Sequence, residues 1–150
     1  MEKDNQAQRI VGSFEKIGFP VLGISNILAK IDTGAYSGAL HATNIRETLS
    51  ARGLPELAFC PLGIELNETR TSNFRKKWVK SSNGSREVRY TIRTKVKVRG
   101  EEMPITITLT DRSSMRAEVL IGRRFLRRHG FLVDVRRGRH YAQKVKEKTT

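Results

Sequence analysis

The stretch from Phe74 to Arg99 constrains the fold of this chain more than any other. Ser81-Ser82-Asn83-Gly84-Ser85 separates two runs, Phe74 to Lys80 and Arg86 to Arg99, and Asn-Gly is a strong hairpin signal. The return run alternates. Val88, Tyr90, Ile92, Val96 and Val98 share one face with Thr94, while Arg89, Arg93, Lys95, Lys97 and Arg99 share the other with Glu87 and Thr91. A period of two means strand, and this division means one face buried and one in water, where it forms a cationic ladder. A two-stranded hairpin is marginal alone, so the rest of the chain must supply more sheet.

It does so in short pieces. Arg9 to Ile17 reads as a strand, turned by Gly18-Phe19-Pro20. Val21 to Ile24 and Ile27 to Ile31 form a second strand region, and Gly38 to Ile45 a third. Residues 46–56 read as a connection punctuated by Gly53 and Pro55, Leu57 to Pro61 as a short apolar piece, and 62–73 as a long polar loop. Gly100-Glu101-Glu102 is a turn, Pro104 to Thr110 an alternating strand and Asp111 to Met115 a loop. Val119 to Gly122 is a buried-type strand, followed by a short helix over Arg123–His129 with Gly130 past its end. Phe131 to Val135 is a last clear strand, and His140 to Ala142 a brief pairing. About eight short strands and one helix predict a mainly β chain, a small closed or rolled sheet. One domain is expected over 9–142, between a loose N-terminus at 1–8 and a loose basic tail at 143–150.

Composition bounds the function. No run approaches the roughly 18 apolar residues of a membrane span, and the polar start reads as no signal peptide. Cys60 is the single cysteine, read as a small buried hydrophobe; with no intrachain disulfide possible, a reducing cytoplasm is expected. The net charge of +14 is uneven. Residues 1–69 carry 6 Lys/Arg against 8 Asp/Glu, 70–111 carry 11 against 4, and 112–150 carry 12 against 3. That asymmetry points to a polyanionic partner.

The chemistry rests on Asp32-Thr33-Gly34, where the apolar run Leu28-Ala29-Lys30-Ile31 stops at a carboxylate. Thr33 can hydrogen-bond across such a loop, and Gly34 lets backbone approach the carboxylate. Alone, the tripeptide reads more readily as a plain β-turn than as a site. Two further features change its weight: Val119-Leu120-Ile121-Gly122-Arg123 leading into the helix, and the glycine-tipped hairpin lying between.

Together these resemble the retropepsins, in which Asp-Thr-Gly-Ala forms the catalytic loop, a hydrophobic-hydrophobic-Gly-Arg run leads into the single helix, and a hairpin forms the flap. Ala29 to Ala35, Ala39 to Ala42, Leu109 to Met115 and Leu120 to Arg124 further resemble a bacterial group labelled "ATP-dependent zinc protease", which includes the RimB-like proteins that accompany ATP-grasp glutamate ligases. The likeness spans roughly residues 9 to 135.

The resemblance implies a retropepsin-like acid-protease barrel with one short C-terminal helix. It implies Asp32, Thr33 and Gly34 as the catalytic stretch, supported by Ile121, Gly122 and Arg123, with Ala35, Tyr36, Ser37 and the flap tip Ser82, Asn83, Gly84 against substrate. Aspartic peptidases need two carboxylates sharing a proton. Asp111 and Asp134 lack a following Thr/Ser-Gly, so the second carboxylate is expected from another copy, making a C2 homodimer. For the RimB-like branch the resemblance implies trimming of oligoglutamate tails and a functional link to the ligase. Arg89 and Arg93 of the cationic ladder then become candidate contacts for an acidic peptide.

This chain departs from the group at Tyr36-Ser37-Gly38, where Arg-Thr-Ser is usual. Many retropepsins carry an acid at the place of Tyr36, paired with the Arg that follows the second glycine, so Arg123 is expected to stack on the Tyr36 ring or find another acid. The zinc of the group label finds little support: His41, His129 and His140 are scattered, and His41 reads as a packed or hydrogen-bonded core residue. No Gly-x-x-x-x-Gly-Lys suggests ATP binding, and no cofactor is expected. A Ser37/His41/Asp32 triad lacks the glycines of a nucleophile elbow. The alternative reading is a basic β-barrel binding nucleic acid or another polyanion without catalysis, with Phe74, Trp78 and Tyr90 as stacking residues.

Overall fold

The computed structural model describes residues 8–142, so the expected loose tail and all but Gln8 of the expected loose N-terminus lie outside the described residues. Eleven strands and one helix follow in order: β1 Arg9–Val11, β2 Phe14–Phe19, β3 Ile24–Asp32, β4 Gly38–Leu49, β5 Pro55–Pro61, β6 Thr69–Thr71, β7 Phe74–Lys80, β8 Arg86–Val98, β9 Glu101–Thr110, β10 Val119–Gly122, α1 Arg123–Arg128 and β11 Phe131–Val133.

Six strands close a barrel in the order β10-β3-β2-β8-β9-β4, with β4 returning to β10. The mainly β barrel with one short helix thus has the expected form. Inward residues alternate along each stave: Ile92, Val96 and Val98 of β8, Ile105, Ile107 and Leu109 of β9, Ala29 and Ile31 of β3, Val119 and Ile121 of β10. Val88, Tyr90 and Thr94, on the same face of β8, are only half-buried. The outer part of β8 pairs with β7, which joins the barrel through β8 alone, so it rises off the core.

The boundaries differ from the expectation in places with local causes. Arg9–Ile17 is two strands, because Ser13 leaves the line and donates its amide to Arg137 O at 2.8 Å. Pro20–Leu22 forms a 3-10 turn rather than strand, since proline suits a helical first turn. The 46–56 connection is largely sheet: β4 runs to Leu49, shifted in register between Thr43 and Arg46 with Asn44 at φ 54°, and pairs with β5 outside the barrel. The 62–73 loop contains β6, and residues 140–142 join no strand. The β8–β9 turn is Arg99-Gly100 rather than Gly100 to Glu102. Both turn residues have positive φ, as a tight hairpin between right-twisted strands requires.

Candidate functional site

Asp32 ends β3, and its backbone is held from the side. β10 runs parallel to β3 with Gly122 opposite Asp32. The chain leaves β3 in a tight turn in which the Ala35 amide donates to Asp32 O at 3.2 Å and the Gly34 amide donates to Asp32 Oδ1 at 3.0 Å. A backbone donor on one carboxylate oxygen restrains the rotation of the side chain. Asp32 is half-buried, while Thr33 and Gly34 are exposed.

The turn is clipped from beyond β10. The Arg123 amide donates to Ala35 O at 2.8 Å and the Arg124 amide to Tyr36 O at 3.1 Å, so the start of α1 is stitched to the loop. Gly122 is there because nothing larger fits: a Cβ would lie 2.7 Å from both Tyr36 O and Ser37 C. The side chain of Arg123 donates from Nη1 to Gly34 O at 3.1 Å. Its guanidinium lies over the Tyr36 ring, 5.5 Å from the centroid, and that of Arg124 at 5.9 Å. Tyr36 and Ser37 are exposed, Ala35 is half-buried, and Ile121 lies in the core.

Sequence reasoning missed Arg112. Its amide donates to His41 Nδ1 at 2.8 Å and its Nε to Ala117 O at 2.9 Å, which fixes the side chain near the barrel end. Burial lowers the pKa of this guanidinium, and the charge of Asp32 works against that fall, so the two side chains feel each other. The signal lay in Asp111-Arg112-Ser113, within the stretch that carries the family likeness.

Other ionisable groups are engaged elsewhere. Asp111 accepts from the Ser113 hydroxyl and amide, which lower its pKa, with a smaller contribution from His41. Asp134 is held down by hydrogen bonds from Arg136. His41 is buried and bonded to the Arg112 amide rather than forming a triad with Ser37 and Asp32. Among the described residues no group of three or more His, Cys, Asp or Glu is placed to hold a metal ion, and the donor set does not fit the zinc of the group label.

The second structural feature is an open cleft of about 650 Å³. The outward face of β7, β8 and β9 forms one wall; Tyr36, Ser37, Gly38 and α1 form the other. Arg89 and Arg93 line it, with Arg75, Lys77, Arg124 and Arg128. Ser82, Asn83 and Gly84, expected as a flap tip, are exposed at the end of the β7–β8 hairpin and do not line it. The tip is a closed turn: the Ser81 amide donates to Ser85 O at 2.8 Å, the Gly84 amide to Ser81 O at 3.0 Å, and Asn83 Oδ1 accepts from the Ser85 amide at 3.1 Å. Of the stacking candidates, Phe74 and Tyr90 pack on each other at 6.3 Å, and exposed Trp78 lies under Arg86 at 5.6 Å.

A closed β-barrel whose strand-end Asp-Thr-Gly turn is clipped by a Gly-Arg helix start defines an aspartic-peptidase-like protein with one such turn. The family comparison makes this specific. The family model "Retropepsin-like aspartic endopeptidase RimB" matches residues 10–146, and the chain belongs to this RimB-like family. Curated relatives carry another name. A "Probable alpha-L-glutamate ligase" of Shewanella pealeana is 35% identical over 124 residues, 76% of this chain and 26% of the relative. One of Desulfotalea psychrophila is 35% identical over 122 residues, 78% of this chain and 26% of the relative. The chain therefore spans about a quarter of the length of these relatives. Among solved structures, the Legionella pneumophila protein Lpg0085, of unknown function, aligns with a TM-score of 0.63 at 25% identity, covering 87% of this chain and 95% of that one.

Proposed function

We propose that this protein is an aspartic endopeptidase that works as a homodimer, cutting acidic, oligoglutamate-like peptides in the cytoplasm. The observation that carries the reading is the Asp32 turn: a carboxylate oriented by the Gly34 amide and braced by Gly122 and Arg123. Residues 9–142 form the peptidase domain of this reading.

One carboxylate cannot do this chemistry alone. With Asp111 and Asp134 bonded to their own neighbours, the partner for Asp32 is the Asp32 of a second copy. Two carboxylates about 3 Å apart hold one proton between them, because both cannot ionise there. The ionised member takes a proton from water, whose oxygen bonds to the peptide carbonyl carbon. The protonated member gives its proton to the carbonyl oxygen, forming a diol. The C–N bond then breaks as the nitrogen gains a proton, and the shared proton is restored.

Thr33 and Gly34 shape the turn, Ala35, Tyr36 and Ser37 continue it toward substrate, and Ser82, Asn83 and Gly84 form the covering tip. Charge supports an acidic substrate: Arg89 and Arg93 line the same cleft as Tyr36 and Ser37, which follow that turn. The ligase named in the relatives supports a product rich in glutamate as the target, and a functional link between the two activities. The buried, unpaired thiol of Cys60 suits a reducing compartment.

The test compares the wild type with Asp32→Asn on glutamate-rich and neutral peptides at low and high salt. The wild type cuts the acidic peptide faster and loses that advantage in salt, while the variant cuts neither. Sedimentation that finds only monomer, alongside full activity, sinks the shared dyad. The nucleic-acid alternative predicts polyanion binding with no hydrolysis in either protein.

A further inference from the structure

The lining of the cleft has an unbalanced chemistry. Six basic side chains border it, and no Asp or Glu does. Arg89 has a carboxylate neighbour in Glu87 at 3.1 Å, but Arg75, Lys77, Arg93, Arg124 and Arg128 make no ion pair among the described residues. Concentrating like charges on one concave surface costs self-repulsion, which a bound polyanion relieves. Asp32 is not part of the lining, although Tyr36 and Ser37, which follow its turn, are. The cleft therefore leads away from the Asp32 turn rather than containing it.

Its geometry says what kind of polyanion fits. The pairing of Arg75 with Thr91 and of Lys77 with Arg89 puts these four side chains on one face of the sheet, and Arg93 beside Thr106 continues that face onto β9. β7 pairs with β8 alone, so among the described residues its outer edge has no strand beside it. An open edge offers main-chain N–H and C=O groups in strand spacing, which an extended polypeptide can match and a phosphodiester chain cannot. Arginines lie over the rings of Tyr36 and Trp78, both still more than half exposed, so it is the open strand edge that favours a polypeptide over a nucleic acid.

We propose that this cleft and the free edge of β7 beside it form a separate anchoring site for an acidic polypeptide, which adds as an extended strand along that edge with carboxylates against Arg75 and Lys77 and continues into the cleft toward Arg93 and Arg128. It holds the uncut part of the substrate while another part lies at Asp32. The inference rests on the acidic-substrate part of the proposed function but needs no chemistry at Asp32.

The test is therefore binding to the full-length Asp32→Asn protein, which separates anchoring from hydrolysis. The probe is a fluorescent α-linked oligoglutamate of about ten residues, read by anisotropy. Arg75→Glu, Arg93→Glu and Arg128→Glu each weaken binding about tenfold, while Arg52→Glu, on the β4–β5 turn, leaves it unchanged. Arg93→Gln weakens it less, and its unaltered melting temperature separates lost charge from lost fold. The same peptide methylated at every amide nitrogen keeps its charge and loses most of its affinity. Wild-type affinity in the three reversed variants overturns the site, and undiminished binding of the methylated peptide overturns strand addition. A single-stranded RNA of equal charge that binds more tightly assigns the cleft to phosphate chains and overturns the proposal.

Discussion

Arg123 covers the face of Tyr36, its guanidinium 5.5 Å from the ring centroid, while its Nη1 donates to Gly34 O at 3.1 Å. An aromatic ring thus takes the role an acid plays in many retropepsins: it holds the arginine that braces the turn carrying Asp32. A half-exposed cation–π contact is worth about 0.5–1 kcal/mol, and a hydrogen bond about 1. Arg123→Ala should therefore lower stability by about 1–2 kcal/mol. A double-mutant cycle with Tyr36→Leu, read by urea denaturation, should return a coupling of about 0.5–1 kcal/mol. Zero coupling would mean that the ring and the cation merely sit near each other.

Gly122→Ala tests the clip itself. The added methyl meets backbone atoms of Tyr36 and Ser37 at 2.7 Å, and backbone cannot rotate away as a side chain can. The expected cost is about 1–3 kcal/mol. Because the strain falls on the residues that follow the Asp32 turn, peptide hydrolysis should fall by more than the loss of folded protein explains. Activity per folded molecule equal to wild type would count against the clip.

How far the chain could be read without coordinates depended on where each contact came from. The β7–β8 hairpin, β9, β10 and α1 were legible because alternation and turn residues are local signals. The split between β1 and β2 was not, because the Ser13 amide is drawn off by Arg137 O, more than a hundred residues away. The outer half of β4 was hidden for another reason. It forms a ribbon outside the barrel, half exposed, so Arg46, Glu47 and Thr48 carry no buried face to announce a strand. At the site, Asp32, Gly122 and Arg123 stood out by pattern. Arg112 did not, since its place is set by anchors on His41 and Ala117. The cleft was half legible: the ladder on β8 was plain, but its pairing with Arg75 and Lys77 and with the far wall on α1 is set by register and closure.

The contact between Tyr90 and Glu47 ties the outer hairpin to β4 and makes stability depend on pH. Tyr90 Oη donates to Glu47 Oε2 at 2.9 Å, and Lys76 Nζ lies 3.2 Å from the same oxygen. The bond from Tyr90, then that from Lys76, lowers the Glu47 pKa; burial, then the Glu47 bond, raises that of Tyr90. A depressed carboxylate adds stability above its unfolded value, near pH 4.3, and loses it as pH falls through the lower folded value. A raised phenol adds stability below its unfolded value, near pH 10, and loses it as pH climbs through the higher one. Urea midpoints of the wild type and Glu47→Gln should therefore differ at pH 7 and converge as pH drops below about 4. A constant gap down to acid pH would show that the carboxylate charge is not what holds the hairpin.

Arg112 offers the sharpest separation of substrate selection from scaffold. Its Nε is committed to Ala117 O and its amide to His41, so the guanidinium is held in place before substrate arrives, and Asp32 is the charge it feels. If Asp32 cuts as proposed, a fixed cation whose charge it feels favours a substrate with an acidic residue next to the scissile bond. Arg112→Ala should reduce kcat/KM about tenfold on a glutamate-rich peptide and far less on the same peptide with glutamine next to the cut. Arg112→Lys should recover only part of the loss, because an ammonium on a flexible stem cannot both hold Ala117 O and keep donors free in a planar fork. The comparison between peptides decides the matter: an equal fall on both would make Arg112 a prop for the loop, whereas a fall confined to the acidic peptide makes it the residue that reads the substrate's charge.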